Sequence, residues 1–358
     1  MGIKYLNKHL QTNCSNSIKQ ISLRELSGKK IVVDTSIYLY RFLGENALLE
    51  NFYLMISIFR EHNIIPLFVF DGKPPKEKED LLKQRKLGKK EAETKYKELK
   101  TKLEDVSEDE KKELEDTMLS LKKEFIRLHH TDIENVKLLI QAYGVSYIEA
   151  PGEADKLCAK MVCKHKAYAC LSEDMDLFVY GCPRVLRYLS LLKKKVVMYD
   201  LKGMLNDMKM TFDEFQSICI VSGTDYNLDM ENNTNLTQTL KHFKKYKQLS
   251  NQYSDISTNI LNDINIDTGK KYNNKNINKN NYKKICTENY NHISFYEWLE
   301  ENTKYIKNCM ELYNIQDMFD LTKMSEYKQY EKISIVNGPI HKRNLINILE
   351  KEHFLFAE

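Results

Sequence analysis

The sequence is poor in every feature that marks a membrane protein, a secreted scaffold or a repeat array. Its eight cysteines include no CxxC pair, so zinc is not indicated. Cys158, Cys163, Cys170, Cys182 and Cys219 lie in apolar contexts, as buried thiols of a reducing compartment do. The longest strongly apolar stretch, Ile64 to Phe70, is far too short to span a bilayer, and the opening MGIKYLNKHL lacks the apolar core of a signal peptide. These absences set the expectation of a soluble, intracellular protein with no membrane partner. No internal repeat is visible, and no a/d heptad is sustained, which weakens a coiled-coil dimer reading. Strong net charge is missing too: 55 basic residues face 51 acidic ones, for a net +4, so affinity for a polyanion has to come from local pattern. Hydrophobic residues make up 42% of the 358, enough to bury a sizeable core in two or three modules or in one large α/β domain with appendages.

What the sequence does have is seven carboxylates in unusual places. They are Asp34 in IVVDTS, Asp71 in FVFDGKPP, Glu153 and Asp155 in APGEAD, Asp174 and Asp176 in LSEDMD, and Asp225 in SGTDY. Each follows a short hydrophobic run or opens a helix, where a parallel sheet points its loops at one crevice. Any one of them alone reads equally as a cap or turn carboxylate. Seven converging negative charges repel one another unless cations hold them, and all-oxygen sites favour Mg²⁺ or Mn²⁺. The chemistry such sites recurrently serve is phosphodiester cleavage by two metals. Residues 73–90 add eight Lys or Arg against three acids, a local +5 suited to gripping a polyanion. The plain alternative for that run is a solvated lysine-rich helix.

Lys30–Asp34 and Ile64–Asp71 read as buried strands, with helical periodicity from Ile37 to Asn63 between them, which together make a βαβ unit. Residues 76–130 hold no proline and a single glycine, Gly88, and read as an antiparallel helical pair that breaks near Asp105–Glu110. The sheet pattern resumes at Val145–Ile148 and Ala167–Ser172 around a helix at Glu153–His165. Val185–Tyr188 and Lys195–Tyr199 form a further strand pair, and Phe212–Val221 is a helix. The predicted organisation is a nuclease-like region over 1–75, a helical arch or cap over 76–131, and a second such region over 132–228. A divergent hairpin with an Asn/Lys-rich segment follows over 229–290, and a helical region over 291–358. His129-His130 reads as a helix-end pair and not as a metal site.

In this order and spacing, MGIKYLNKHL, VVDTS, FVFDGKPP, APGEAD, SEDMDLFVYG and SGTDY resemble the flap endonuclease branch of the XPG/Rad-type structure-specific 5′ nucleases. The match covers residues 1 to about 228, and the compact cap between Asp71 and Glu153 is what selects the branch. The resemblance implies an α/β fold of PIN-like type, in which a mainly parallel twisted sheet is flanked by helices and carries a helical arch and a C-terminal helical region. It also implies cleavage of branched or flapped DNA in replication and repair with two Mg²⁺ ions, for which Mn²⁺ can substitute. By that resemblance Asp34, Asp71, Glu153 and Asp155 gather around one ion, and Asp174, Asp176 and Asp225 serve the other. Asp155 departs from the family, which usually has Glu there.

Further residues follow from the same resemblance. Lys78 and Arg85 stand seven apart, share one helix face and approach the scissile phosphate. Tyr40 stacks an unpaired base, with a core tyrosine as the alternative, and Gly2 lies near the site. Gly223 lets the backbone approach DNA closely, and Glu153 and Asp225 also belong to the DNA-binding surface. Asn232-Asn233-Thr234-Asn235 stands where the family has a glycine-containing hairpin that binds duplex phosphate and potassium, and Lys241, Lys244, Lys245 and Lys247 are candidates to compensate. The chain ends HFLFAE without the family's clamp-binding signature, so a sliding-clamp partner is not expected, and a monomer acting in the nucleus or wherever DNA is replicated is. Two alternatives remain open: a mainly exonucleolytic or RNA-directed nuclease on the same fold, and a non-catalytic DNA-binding subunit.

Overall fold

The computed structural model describes residues 3–102, 117–118, 120–122, 124–227, 234–249 and 293–351. It divides into two compact units. The first comprises Leu6–Met210 together with the chain from Phe319 onward, and the second centres on Thr211–Met318.

The first unit is built on a seven-stranded mixed sheet in the order β1-β7-β6-β5-β2-β3-β4. Its strands are β1 (Ile18–Ser22), β2 (Lys30–Asp34), β3 (Ile65–Phe70), β4 (Ser146–Glu149), β5 (Ala169–Leu171), β6 (Arg184–Ser190) and β7 (Lys195–Asp200). Four of the six pairings are parallel, those linking β4, β3, β2, β5 and β6; β7 runs antiparallel to both β6 and β1. The α/β class with a mainly parallel sheet is thus the one the sequence implied. β1 is the addition: IKQIS alternates too weakly to stand out from a loop, and it forms as an edge strand because β7 offers it a partner.

Central strands covered on both faces need continuous apolar runs, which is what IVV and IPLFVF supply. Ile31, Val33 and Phe68 lie on the face packed by α2 (Thr35–Gly44), α3 (Leu48–Glu61) and α5 (His130–Ala142). Phe42, Phe52 and Phe68 form a chain of ring contacts at 5.2 and 6.1 Å through that layer. The opposite face is covered by α6 (Ala154–Cys163), which packs on β2, β3 and β5. The predicted helical stretch from Ile37 to Asn63 is two helices. The chain breaks between Gly44 and Leu48, where Asn46 adopts a left-handed φ of 51°.

The insertion after β3 opens with a 3₁₀ turn at Lys76–Lys78 and continues as α4 (Glu79–Lys102). A returning limb lies alongside α4: Tyr96 meets Phe125 edge-on at 5.3 Å, Glu93 pairs with Arg127, and the Lys89 ammonium donates to the Ile126 carbonyl. The predicted break near Asp105–Glu110 lies outside the described residues. His129 caps the start of α5 and its N–H donates to Asp132, as a helix-end residue does.

The region read simply as C-terminal helices is split between the units. Helices Phe295–Asn302 and Cys309–Met318 belong to the second unit, whereas residues 319–351 return to the first. There they run beside β4, the last strand of the sheet. Asn337 bridges Val145 antiparallel, the Tyr330 hydroxyl donates to Glu149 O, and Arg60 holds the Gly338 carbonyl at 3.1 Å. Helix Lys342–Lys351 then packs on α5, with Leu349 fully buried. Among the described residues no helix is long and apolar enough to cross a membrane.

Candidate metal centre and its flanking cations

Six of the seven acids lie in the first unit, and each is set at the C-terminal end of a parallel strand or in the loop that follows. Asp34 ends β2 and caps α2, and Asp71 follows β3. Glu153 is the N-cap residue of α6 and Asp155 lies in its first turn; Asp174 and Asp176 follow β5. β2, β3 and β5 are adjacent and parallel, so their C-terminal ends open on one side, where α/β sheets place their sites.

Two loops are tied together by backbone. The Gly72 N–H donates to Gly152 O at 2.7 Å, and a Cβ on Gly72 would meet the Ala150 carbonyl at 2.0 Å. Only glycine lets FDG and APGE pass this closely, and the contact brings Asp71 against the start of α6. One Asp71 oxygen accepts the Ala154 N–H at 2.7 Å, and the other accepts the Ser36 hydroxyl. Ser172 donates to Asp34 at 2.9 Å. Gly72, Ser36 and Ser172 were not singled out from the sequence. Their signal lay in plain sight in a glycine and two serines placed within two residues of the acids.

The electrostatics report convergence directly. Asp34 is 5% exposed, and its carboxyl is pushed up to about 8, first by burial and then by the negative charges of Asp71 and Asp174, with the Ser172 hydrogen bond opposing. Burial pushes Asp155 well above the carboxylate range as well. Glu153, Asp174 and Asp34 add to that, and the Lys78 ammonium opposes it. Five acids from the ends of four neighbouring strands therefore sense one another, with Asp34, Asp155 and Asp174 buried, the circumstance in which like charges cannot all ionise without a cation. As placed, no three His, Cys, Asp or Glu side chains among the described residues are drawn in around one point to hold an ion. Their local bonds explain the spacing: Lys78 engages Glu153 at 2.7 Å, Asp155 accepts the Lys156 N–H at 2.6 Å, and Asp174 accepts the Asp176 N–H at 3.0 Å. The donor set is all carboxylate, with buried charge in excess, and it fits a hard divalent cation.

Asp174 and Asp176 do not lie on an extended strand: Met175 has helical dihedrals and α7 (Asp176–Val179) begins at Asp176, whose N–H the Asp174 side chain accepts. The structure alters one expectation: Lys78 and Arg85 do not share one continuous helix face. Lys78 sits in the 3₁₀ turn before α4, 6% exposed and facing Glu153, whereas Arg85 is exposed on α4. The buried cation belongs to the acid cluster and the exposed one to the insertion.

Tyr40 is 44% exposed, and the core position belongs to Tyr38, which is fully buried. Lys89 holds its ammonium 4.9 Å from the Tyr40 ring centre, and burial together with Arg85 and Arg127 lowers its pKa. Asp225 and Gly223 belong to the second unit. Asp225 is half-buried in the turn after α9 (Phe212–Ser222), and Gly223 ends that helix at φ 105°, a conformation L side chains rarely adopt. Gly2 lies outside the described residues.

With this geometry in view, comparison with known proteins is informative. The XPG N-terminal domain pattern matches residues 1–92, and the XPG I-region pattern matches residues 144–225. Together these two XPG patterns cover just under half of the chain. The two matched stretches carry all seven acids, Tyr40, Lys78 and Arg85. The chain is 33% identical over 246 residues to Flap endonuclease 1 of Candida tropicalis, which is 63% of each chain. It is 32% identical over 245 residues to Flap endonuclease 1 of Zea mays, which is 63% of this chain and 62% of that one. It thus matches under two thirds of the length of these curated relatives. Among solved structures it is similar to the catalytic core of Rad2 in complex with DNA substrate, at a TM-score of 0.61 and 19% identity over 98% of this chain and 94% of that one. Human GEN1 in complex with Holliday junction DNA gives 0.55 at 17% identity, over 99% and 74%. At such identities the likeness speaks for the fold.

Proposed function

We propose that this chain is an XPG-family, Mg²⁺-dependent, structure-specific 5′ nuclease that hydrolyses one phosphodiester bond in flapped or branched DNA during replication and repair. The observation that carries this reading is the cluster of Asp34, Asp71, Glu153, Asp155 and Asp174, whose charges repel around the buried carboxyls of Asp34 and Asp155, with Lys78 drawn in among them. The curated relatives named Flap endonuclease 1 support the substrate class.

Asp34, Asp71, Glu153 and Asp155 would hold one ion and Asp174 and Asp176, with Asp225, would serve a second; Mn²⁺ could replace Mg²⁺. Such ions would supply activation of water and neutralisation of phosphate charge. The residues of the chain do the rest. Lys78 exchanges Glu153 for the scissile phosphate, where its charge stabilises the oxygens that gain charge in the transition state. Arg85, exposed on α4, takes a second phosphate oxygen. Tyr40 stacks the unpaired base beside the junction and so selects for a strand end by shape and not by sequence. The protein acts as a monomer at sites of DNA replication.

The test is cleavage of 5′-labelled double-flap, nicked and single-stranded DNA with Mg²⁺ against an EDTA control. Short defined products from the flap substrate are expected. Mononucleotide release from every substrate would replace the endonuclease reading with an exonuclease, and tight binding without metal-dependent product would replace it with a scaffold.

A further inference from the structure

The stretch LSEDMD holds three acids, and the first of them, Glu173, is turned to a different task from its neighbours. Its carboxylate faces β6: Oε1 accepts the Tyr188 N–H at 2.6 Å, and Oε2 stands 3.5 Å from Arg187 Nε. Arg187 is the unusual residue of that strand. Val185, Leu186 and Leu189 around it build the core, and Arg187 itself is 5% exposed. A buried cation is costly unless its donors are met. Nη2 donates to the Glu173 carbonyl at 2.9 Å, while Nη1 donates to Asn7 Oδ1 at 2.7 Å and lies 2.8 Å from Met175 Sδ. One side chain on β6 thus grips both residues that flank Asp174.

The grip extends to other elements. The same Asn7 oxygen, on α1 (Leu6–Asn13), accepts the Tyr199 hydroxyl of β7 at 2.8 Å, and the Asn7 amide donates to the Tyr188 hydroxyl at 2.8 Å. The guanidinium lies 4.9 and 5.4 Å from the ring centres of Tyr188 and Tyr199. Tyr188 adopts a left-handed φ of 57°, where the β6–β7 pairing shifts register between Arg187 and Ser190. Such a φ is costly for a tyrosine, and here the bond from its N–H to Glu173 helps to hold it. Asp174 bonds within its own turn, to the Ser172 hydroxyl and the Asp176 N–H, so its neighbours supply the ties to the next strand.

We propose that Arg187 and Glu173 act as one positioning clamp, fixing the turn that carries Asp174 and Asp176 for the ion these acids would serve. Neither is a catalytic residue. The clamp rests on the nuclease reading for its ion and adds to it the pair that keeps the ligands in place. Groups that orient metal ligands commonly govern metal affinity nearly as strongly as the ligands themselves.

The experiment measures Mn²⁺ binding to the full chain without DNA, by loss of the free-ion electron paramagnetic resonance signal, with the folded fraction of each variant taken from circular dichroism. Arg187→Met is expected to weaken binding on the order of tenfold per folded molecule. The Mn²⁺ concentration for half-maximal flap cleavage should rise by a similar factor, and the rate at saturating Mn²⁺ should fall by less. Glu173→Gln keeps the carbonyl contact and should weaken binding by about threefold. Its side chain is 25% exposed, so it keeps the test sharp if Arg187→Met folds poorly. The double variant should lose no more than Arg187→Met alone, because the two act as a unit. Wild-type Mn²⁺ affinity in folded Arg187→Met or in Glu173→Gln would overturn the clamp and leave the nuclease reading standing. Additive losses in the double variant would mean two separate effects and would also overturn it. A wild-type chain that binds no Mn²⁺ would defeat the nuclease reading and the clamp with it.

Discussion

The crevice beneath the insertion and the insertion itself carry opposite charge, and they treat it in opposite ways. In the crevice, Asp34, Asp155, Asp174, Asp176 and Lys78 are all buried. On α4, Arg85 and most of its neighbouring lysines stand in solvent. Buried charge is costly and must be compensated in place, which is why the Asp34 and Asp155 carboxyls are pushed up and why Lys78 is held at 2.7 Å from Glu153. Exposed charge is cheap and screened by salt. The crevice is thus an electrostatic demand for cations, and the insertion a solvent-facing supply of them. A phosphate lying between the two can satisfy both.

The strongest way to break that contrast is to remove a buried acid. Asp174→Ala should reduce Mg²⁺-dependent flap cleavage by at least about 10²–10³-fold while leaving flap binding in EDTA nearly unchanged. Cleavage at the wild-type rate would remove Asp174 from the site. Lys78→Met comes next, because it strikes both sides of the comparison. It should cost about 3 kcal/mol of stability in EDTA by leaving Glu153 uncompensated, seen as a lower denaturation midpoint. Cleavage should fall by more than the loss of folded protein explains, whereas Arg85→Met should slow cleavage and leave stability within about 0.5 kcal/mol.

A pH series sharpens the same contrast without mutation. Asp34 ionises near 8 in the folded chain and near 3.9 in the unfolded one, so between those values the folded state holds a proton that the unfolded state has released. Stability in EDTA should therefore fall as pH rises from about 4 to about 8, with a melting temperature on the order of 5 °C lower at the upper end. Asp34→Asn should lower that slope and leave the share that burial gives Asp155, and a slope unchanged by it would mean that burial at Asp34 is not a cause. The smallest effect belongs to the exposed aromatic. Tyr40→Ala should leave the melting temperature unmoved and weaken binding of a flap by about 1–3 kcal/mol relative to a blunt duplex. Equal loss on both substrates would deny it a stacking role.

These contrasts also explain which parts of the molecule the sequence discloses. IVVD, FVFD and the run before Ser172 are continuous apolar stretches because both sheet faces are covered, and an acid at the end of each is conspicuous for that reason. The class of fold and the positions of six acids were legible from this alone. What was not legible depends on partners distant in sequence. β1 exists because of β7, some 180 residues on. The turn at Met175 depends on an Asp174 side chain capping its own helix. By composition Lys78 reads as one of eight basic residues, and its pairing with Glu153, 75 residues away, leaves no mark in the sequence. The branch of residues 319–351 back onto β4 leaves no periodic mark, since its bonds run from isolated side chains to carbonyls.

That returning segment has a consequence for how the protein is made. β4 closes the parallel side of the sheet, and its outer edge is covered by residues around Tyr330–Gly338. During synthesis every strand leaves the ribosome well over a hundred residues before this cover does. A nascent chain must therefore carry an open strand edge while the whole second unit is translated, a state that invites pairing with a neighbour. Final assembly of the sheet must wait until residues 330–338 have emerged, and a chain truncated before residue 330 would be born with the acid cluster encoded but with its sheet unsealed.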